Sequence, residues 1–268
     1  MKYSEKDHTF AICAYKESPY LEECIQSLLN QSVQTKVIVV TSTDNGYIRN
    51  MAKKYDLPYF VNCGETGITQ DWNYAYKCAN SELVTIAHQD DIYEKDYAKA
   101  ILTGVSAAKR PLIAFTGYGE LRNGTAVYDN KLLKIKRLML FPLKIKAFQR
   151  SIFIRRRILS LGCPICCPAV TFVKMNLPKT VFQSGFRSDE DWEAWEKLSR
   201  LKGSFVYYGK PLVLHRIHGE SETSAIIGET GRAHEDYQMF CKFWPKPIAR
   251  LITKFYSASE KSNELENK

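Results

Sequence analysis

Apolar positions in the first hundred residues switch repeatedly between two spacings. Short β-branched or apolar runs predict buried strands, and apolar residues three or four positions apart predict helices between them. The first helix is predicted to begin at Ser18 and Pro19, an N-cap residue followed by a first-turn proline. This alternation predicts an α/β fold with a parallel sheet covered by helices. The predicted strands are residues 9–14, 36–40, 59–62 and 83–87, and the predicted helices are residues 18–29, 45–55, 69–79 and 93–107.

The second half of the chain carries a less regular pattern. A turn is predicted at Asn123-Gly124, an interruption of the helical pattern at Pro142, and a turn at Gly209. The tail from Ser257 is polar, so we expect it to be frayed. The predicted elements are an extended stretch at 112–128, two helical pieces within 131–160, a strand at 169–174, a helix at 189–202, a strand at 205–217 and a helix at 229–244.

The overall composition is that of an ordinary globular protein. The chain has 268 residues, of which 45% are hydrophobic and 25% charged, and this length suits one large domain or two fused lobes. No apolar run approaches the roughly 18 residues of a membrane span. The first eight residues are polar and charged, unlike the apolar core of a secretory signal, and we therefore expect a cytoplasmic protein.

Three of the eight cysteines form a short cluster, Cys163, Cys166 and Cys167. This spacing can indicate zinc or redox chemistry. A structural zinc site needs four ligands, usually from two paired clusters, and no second cluster follows at a suitable distance. We therefore expect buried thiols beside a strand.

The positive charge is concentrated in one segment. Between residues 130 and 188 there are 13 Lys or Arg and no Asp or Glu, so the rest of the chain is slightly acidic although the whole carries +9. A local basic surface predicts an anionic partner. Residues 131–157 interleave these charges with apolar residues, which favours an anionic membrane. A solvated helical lobe or a phosphorylated acceptor would explain the pattern as well, whereas no nucleic-acid-binding motif accompanies it.

Two adjacent carboxylates follow the fourth predicted strand, in the run His88-Gln89-Asp90-Asp91. Ligands of parallel α/β sheets bind beyond the carboxyl ends of the strands. Adjacent like charges are costly unless a cation neutralises them, and Mg²⁺ or Mn²⁺ binds carboxylates together with substrate phosphates. The alternative is that Asp91 only caps the following helix.

Two further polar clusters lie in the second half. Asp191 follows Ser188 by three residues at the start of a predicted helix, which suits either a general base or a capping box. In the run from His215 to Gly219, strand alternation places Arg216 and His218 on one face, where they can contact phosphate or metal together. An unremarkable polar strand end is the alternative.

The ordered set of these motifs resembles the family-2 glycosyltransferases of the GT-A fold, over roughly residues 9–224. That family usually shows a strand ending in Tyr-Asn-Glu, an Asp-x-Asp-Asp motif, a Glu-Asp-Trp segment and a late Arg-x-His. This chain has Tyr15-Lys16-Glu17, His88-Gln89-Asp90-Asp91, Glu190-Asp191-Trp192 and Arg216-Ile217-His218 in that order.

The resemblance implies a role for each matching position. Tyr15 would stack on the nucleotide base, with Ala14 and Glu17 in the same pocket, and Asp44 would contact the base or the ribose. Asp191 would deprotonate the acceptor hydroxyl. The donor-binding set is Ala14, Tyr15, Glu17, Asp44, Gln89, Asp90 and Arg216, and the metal-binding set is Asp90, Asp91 and His218.

Several positions depart from the family pattern. Lys16 stands where Asn is usual, and His88 replaces the first Asp of the metal motif, which puts the ribose contact in doubt. The second strand ends in Thr41-Ser42-Thr43-Asp44 and lacks the usual acidic pair, and the segment around Asp71 lacks the Arg often found nearby. Arg216 is therefore expected to carry more of the phosphate charge.

The resemblance implies an inverting glycosyltransferase with a GT-A-like, mainly parallel nucleotide-binding sheet and an acceptor-side lobe of helices and strands. It would move a sugar, hexosyl or N-acetylhexosaminyl, from a nucleotide diphosphate sugar to a hydroxyl of a glycan or lipid-linked acceptor in polysaccharide biosynthesis, with Mn²⁺ or Mg²⁺. The basic segment 131–157, independently of the resemblance, is consistent with a cytoplasmic protein that is peripheral at the inner face of the membrane. The expected parts are a nucleotide-sugar half at 1–118, an acceptor half at 119–228 and a C-terminal helix and tail at 229–268.

Two other functions fit the same pattern. A sugar nucleotidyltransferase combines a similar fold, metal and acids, but normally begins with a Gly-rich phosphate loop that this sequence lacks. A non-catalytic sugar-nucleotide-binding protein would share the fold without needing Asp191.

Overall fold

The computed structural model describes residues 2–183, 185–218 and 231–265 of the chain, with side chains described as far as residue 256. Gly219, Ser224 and the first two residues of the helix predicted at 229–244 lie outside the described residues. The strands are β1 (His8–Ala14), β2 (Lys36–Thr41), β3 (Tyr59–Val61), β4 (Leu83–His88), β5 (Ile92–Tyr93), β6 (Pro111–Arg122), β7 (Thr125–Val127), β8 (Val170–Val173) and β9 (Ser204–Ile217).

Helices alternate with these strands in the first half and cluster in the second. The helices are α1 (Leu21–Leu29), α2 (Gly46–Lys54), α3 (Ile68–Cys78), α4 (Tyr97–Ala107), α5 (Lys131–Leu140), α6 (Ile152–Leu159), α7 (Glu190–Ser199), α8 (Gly231–Cys241) and α9 (Lys246–Leu265). Two 3₁₀ turns, Phe141–Lys144 and Phe148–Arg150, join α5 to α6. Within the described residues, no helix combines the length and apolar character that crossing a bilayer requires.

The strands form one mixed sheet in the order β3-β2-β1-β4-β8-β6-β9-β5, with β7 paired to β6. Strands β3, β2, β1 and β4 are mutually parallel, so their carboxyl ends lie at one edge. Strand β8 is antiparallel to both β4 and β6, and β9 runs parallel to β6. The predicted α/β class is confirmed, with the purely parallel arrangement confined to the first half.

The sheet is buried on both faces because alternate strand residues enter different core layers. Phe10 and Ile12 pack in one layer with α1 and α4, whereas Ala11 packs in the other with α3 and the paired tryptophans of α7, Trp192 and Trp195. Burial on both faces explains why the first strands read as continuous apolar runs. The same sheet continues through both expected halves, and β6 crosses residue 118.

Three sequence predictions need correction. Helix α1 begins at Leu21, with Tyr20 and not Ser18 at its N-cap position. Ser18 accepts from the backbone N–H of Tyr20 through Oγ (3.3 Å) and from that of Leu21 through its carbonyl (3.3 Å), so Ser18 belongs to a turn before the helix. The predicted turn at Gly209 is wrong, since β9 continues through it with shifts in its register against β6.

The third correction concerns the C-terminus. Helix α9 is absent from the sequence prediction, and its backbone continues to residue 265, beyond the start of the expected frayed tail. Ala249 is fully buried, and Tyr256 contacts the rings of Trp192 and Phe240. Apolar residues at helical spacing on the inner side of this segment thus anchor it to the core.

Candidate active site

The carboxyl ends of β1 and β4 are joined by a reciprocal amide contact. The backbone N–H of Tyr15 donates to Oε1 of Gln89 (3.0 Å), and Nε2 of Gln89 donates to the carbonyl of Tyr15 (2.9 Å). Lys16 has a positive φ of 54°, and this left-handed conformation turns the chain sharply after β1. The ring of Tyr15 is left 44% exposed at the edge of the sheet.

The other predicted base contacts occupy the same edge. Ala14 is buried and pairs in register with Thr41, while Glu17 is exposed. Asp44 accepts hydrogen bonds from Arg49 and, at 2.6 Å, from the hydroxyl of Tyr59. These contacts lower the pKa of Asp44 and keep it a carboxylate.

Asp71, to which the sequence assigns no role, links the residues that follow β2 and β3. Its carboxylate accepts from Oγ of Ser42 after β2 (2.6 Å) and from Nδ2 of Asn62 after β3 (2.9 Å). Asp71 lies in the first turn of α3, where a negative charge is favoured. It therefore fixes the loops that border the sheet edge.

The buried carboxylate of Asp91 is held by the end of β9. Its Oδ1 accepts from the backbone N–H of Arg216 (2.9 Å) and lies 3.0 Å from Nδ1 of His215. Burial raises the pKa of Asp91, but His215, His88 and the Arg216 N–H outweigh burial, and the pKa is lowered. The alternative that Asp91 caps α4 is wrong, since Asp96 occupies that cap position.

Asp90 meets the other face of the same strand end. Its Oδ2 lies 2.9 Å from Nε2 of His218, and its carbonyl accepts from Nε of Arg216 (2.8 Å). Arg216 and His218 therefore lie together, as strand alternation predicts. The guanidinium of Arg216 also pairs with Glu23 and lies 4.2 Å from the ring centroid of Tyr20, both near the start of α1.

His215 belongs to this cluster although the sequence analysis did not select it. Burial lowers the pKa of His215, but the Asp91 carboxylate outweighs burial and raises that pKa to about 9. The ring is therefore a cation at neutral pH and balances Asp91. The signal that could have identified it is the pair of adjacent carboxylates, which needs partners from both faces of a neighbouring strand.

His88, Asp90 and Asp91 fit a divalent cation. One potential ligand atom from each lies within 4.8 Å of the others. Nε2 of His88 and Oδ2 of Asp91 are buried and lack a hydrogen-bond partner among the described residues. Burial lowers the pKa of His88, which also stacks on Trp72 with ring centroids 5.2 Å apart, so its imidazole stays neutral, the form that binds metal.

Asp191 lies at the start of α7, next to the cysteine cluster. Its Oδ1 accepts from the backbone N–H of Trp192 (2.6 Å), and its Oδ2 is 3.7 Å from Sγ of Cys163. Burial raises the pKa of Asp191. The pKa of Cys166 is raised by burial and by both Asp91 and Asp191, so this thiol lies within electrostatic range of both carboxylates.

The predicted capping box at Ser188 is wrong. Asp189 is the N-cap of α7, and its side chain makes no capping hydrogen bond. The segment that leads into α7 is instead held by Glu235 of α8, whose carboxylate accepts from the backbone N–H groups of Arg187 (2.9 Å), Ser188 (2.8 Å) and Asp189 (3.3 Å). Asp191 instead accepts from the backbone N–H of Trp192, within the first turn of α7.

Lys136 is a second charged residue whose inward position the sequence does not reveal. It lies in the basic segment 131–157, where it is half-buried and donates to the hydroxyl of Tyr118 (2.9 Å). Its charge is among the causes that lower the pKa of Asp191 and of Cys166. Lys136 therefore points towards Tyr118 and lies within electrostatic range of Asp191 and Cys166.

Solved structures of the GT-A class of glycosyltransferases share this fold. The TarS fragment 1–349 of S. aureus, in complex with UDP-GlcNAc, superposes with a TM-score of 0.63 at 15% identity, over 92% of this chain and 70% of that one. A mannosyltransferase of Pyrobaculum calidifontis, in complex with GDP-Man and Mn²⁺, gives a TM-score of 0.56 at 16% identity, over 95% and 70%. The fold is therefore GT-A.

The sequence identifies the family within this class. The model of glycosyl transferase family 2 matches residues 9–172, more than half of the chain, and the chain belongs to that family. No curated protein matches the sequence significantly. The predicted family is confirmed.

Proposed function

We propose that this protein transfers a sugar, hexosyl or N-acetylhexosaminyl, from a nucleotide diphosphate sugar to a hydroxyl of a glycan or lipid-linked acceptor, with inversion at the anomeric carbon. The proposal rests on one observation: Asp90, Arg216 and His218 meet at the sheet edge where Gln89 also fixes Tyr15. The solved relatives bind UDP-GlcNAc and GDP-Man, which supports this donor class.

On the donor side, Tyr15 offers an exposed ring on which the base stacks, bordered by Ala14 and Glu17, with Asp44 as a base or ribose contact. Arg216 is fixed by Asp90, Glu23 and Tyr20, yet its Nη1 has no hydrogen-bond partner among the described residues. We assign this group to the donor diphosphate. A fixed cation next to the leaving phosphate needs no reorganisation during the reaction.

The metal site would be formed by Asp90 and His218 with Asp91 beside them, and His88 within reach. A bound Mn²⁺ or Mg²⁺ supplies Lewis-acid stabilisation of the departing diphosphate. The positive charge of His215 favours the carboxylate form of Asp91 and balances its negative charge. This pairing leaves Asp90 as the principal carboxylate ligand.

Asp191 is assigned as the general base. The acceptor oxygen attacks the anomeric carbon, the bond from that carbon to the diphosphate oxygen breaks, and the hydroxyl proton passes to Asp191 while the nucleoside diphosphate leaves. A raised pKa makes Asp191 a stronger base than an ordinary aspartate. One base and direct displacement give inversion.

The experiment that tests the proposal is hydrolysis of a panel of UDP-, GDP- and dTDP-sugars by the purified protein, with and without Mn²⁺. We expect metal-dependent release of a nucleoside diphosphate from one sugar class, and faster release with acceptor. Nucleotide binding without turnover of any donor would indicate a binding protein and contradict the proposal. Formation of a nucleotide sugar from a sugar phosphate would indicate a nucleotidyltransferase.

The exposed ring of Tyr15 gives a separate prediction. Tyr15→Ala should weaken the binding of UDP or GDP, whichever the enzyme prefers, by about 1–3 kcal/mol, the range for stacking of a base on an aromatic side chain. Isothermal titration calorimetry measures this change. Tyr208→Ala is the matched control, because Tyr208 is similarly exposed, at 40%, but lies on β9. Equal affinities in the two variants would remove Tyr15 from the nucleotide site.

A further inference from the structure

Helix α6 presents large apolar side chains to solvent. Phe153 is 68% exposed, and Ile152 at the start of the helix and Leu161 just after its end are also exposed. The chain before α6 continues the pattern with exposed Phe141 and Ile145. A contiguous exposed apolar patch usually marks an interaction site.

Helix α9 carries a second exposed apolar stripe. Ile248, Leu251 and Phe255 are exposed and fall on one side of the helix at spacings of three and four residues. The cleft between α8 and α9 is lined by Ala233, Tyr237, Arg250, Thr253 and Lys254. These α9 residues occupy a different side from the stripe, so α8 does not cover it.

The two apolar regions belong to adjacent helices. The guanidinium of Arg157 lies 4.8 Å from the ring centroid of Trp244, just before α9, and 5.7 Å from that of Phe153. Trp244 donates from Nε1 to the carbonyl of Ser160 (2.8 Å) at the end of α6. A Cβ added to Gly162 would lie 2.8 Å from Cε2 of Tyr256, so the chain after α6 abuts α9.

Exposed cations accompany this patch, but not all the basic residues of 131–157 contribute. Lys146, Arg150 and Arg157 are exposed. Arg155 is buried, where it donates to the carbonyls of Leu201 and Gly203, and Arg156 pairs with Glu196. The last two therefore support the fold.

We infer that the surface formed by Ile152, Phe153, Leu161, Ile248, Leu251 and Phe255, with Lys146, Arg150 and Arg157, docks on an anionic lipid bilayer. We call it the docking surface. It goes beyond the proposed reaction, because it needs neither donor nor metal. Apolar side chains enter the interface while the longer cations contact lipid phosphates.

The charge distribution selects lipid over a second copy of the chain. Residues 130–188 contain 13 Lys or Arg and no Asp or Glu. A symmetric dimer through the docking surface would place the exposed cations Lys146, Arg150 and Arg157 of one copy opposite those of the other, which is unfavourable. An anionic bilayer complements both the apolar residues and the charge.

Sedimentation of the full chain with phospholipid vesicles tests the inference. We expect binding to vesicles of phosphatidylcholine with 30% phosphatidylglycerol, weakening with salt, and little binding to pure phosphatidylcholine. Leu251→Ser/Phe255→Ser and Lys146→Glu/Arg150→Glu should each reduce binding at least about tenfold. The charge-matched control Lys53→Glu/Lys99→Glu, at exposed lysines of α2 and α4, should bind like the wild type.

Two results would overturn the inference. The first is no binding to anionic vesicles, or equal losses in the docking and control variants. The second is a concentration-dependent dimer that Leu251→Ser/Phe255→Ser dissociates, which would assign the stripe to a second copy. Thermal unfolding confirms that each variant is folded, and donor hydrolysis is measured without vesicles. Failure of the proposed reaction is therefore distinguishable from failure of docking.

Discussion

Asp90→Asn is expected to abolish sugar transfer and the gain in nucleotide binding that Mn²⁺ provides. The side chain of Asp90 lies at the sheet edge with its Oδ2 2.9 Å from Nε2 of His218. The neutral amide is a poor ligand for a hard cation. The carbonyl of Asp90 that holds Arg216 is unaffected by the change, so the site should keep its shape. Initial rates and calorimetric titration of nucleoside diphosphate with and without Mn²⁺ measure the effect.

The control for this prediction is Asp129→Asn. Asp129 lies just before α5 and is exposed. Among the described residues it pairs only with Lys134 of α5 (2.9 Å). This variant should keep wild-type activity and its metal response. Full wild-type activity in excess chelator, or unchanged Mn²⁺ enhancement in Asp90→Asn, would contradict a metal-dependent site at Asp90.

Asp191→Asn should lower transfer to the acceptor by two or more orders of magnitude while leaving donor affinity unchanged. This loss is the size expected when a general base is removed. An amide oxygen can still accept from the backbone N–H of Trp192, so the free energy of unfolding should change by no more than about 1 kcal/mol. Single-turnover rates, donor binding and chemical denaturation measure the three quantities.

Glu193, on the same helix, provides a control in which stability is expected to change but the rate is not. Glu193 pairs with Lys197 (2.6 Å) and Lys242 (3.0 Å) and has no assigned role in the reaction. Glu193→Gln should lower stability but preserve the rate. Wild-type transfer in Asp191→Asn would return Asp191 to a purely structural role at the start of α7.

The pH dependence has a sign set by burial at Asp191. Burial raises the pKa of this carboxyl above its ordinary value, so the protonated, inactive form persists to higher pH. Activity should be full above the raised pKa and fall as the pH drops through it. An acid limb of kcat with an apparent pKa above the usual value of about 4 is therefore expected. An acid limb at or below that value would contradict the assignment.

The sequence was informative where structure is local and limited where partners are distant. Strand ends and their motifs follow from apolar runs, so the sequence predicts that Tyr15 and Asp90 lie at the same edge of the sheet. The pairing of His215 with Asp91 spans 124 positions and depends on the register of β5 against β9. No local pattern contains this register.

The sequence also does not show which residues of the basic segment 131–157 face inward. Lys136 and Arg155 have the same local composition as the exposed cations around them, yet one contacts Tyr118 and the other contacts the loop before β9. Which side of a helix is inward depends on the packing of the whole chain. A charge count could therefore predict a basic surface without saying which charges form it.

The carboxylate of Glu235 limits how the C-terminal region can be engineered. It accepts from the backbone of residues 187–189, which lead into the helix that carries Asp191, and its own helix packs through Phe240 against Tyr256 of α9. Transferring α8 and α9 together to another transferase would separate Glu235 from the segment before α7 that it holds. A chimera that exchanges only α9, retaining Ala249 and Tyr256 as its inner face, keeps that support and is the more workable design.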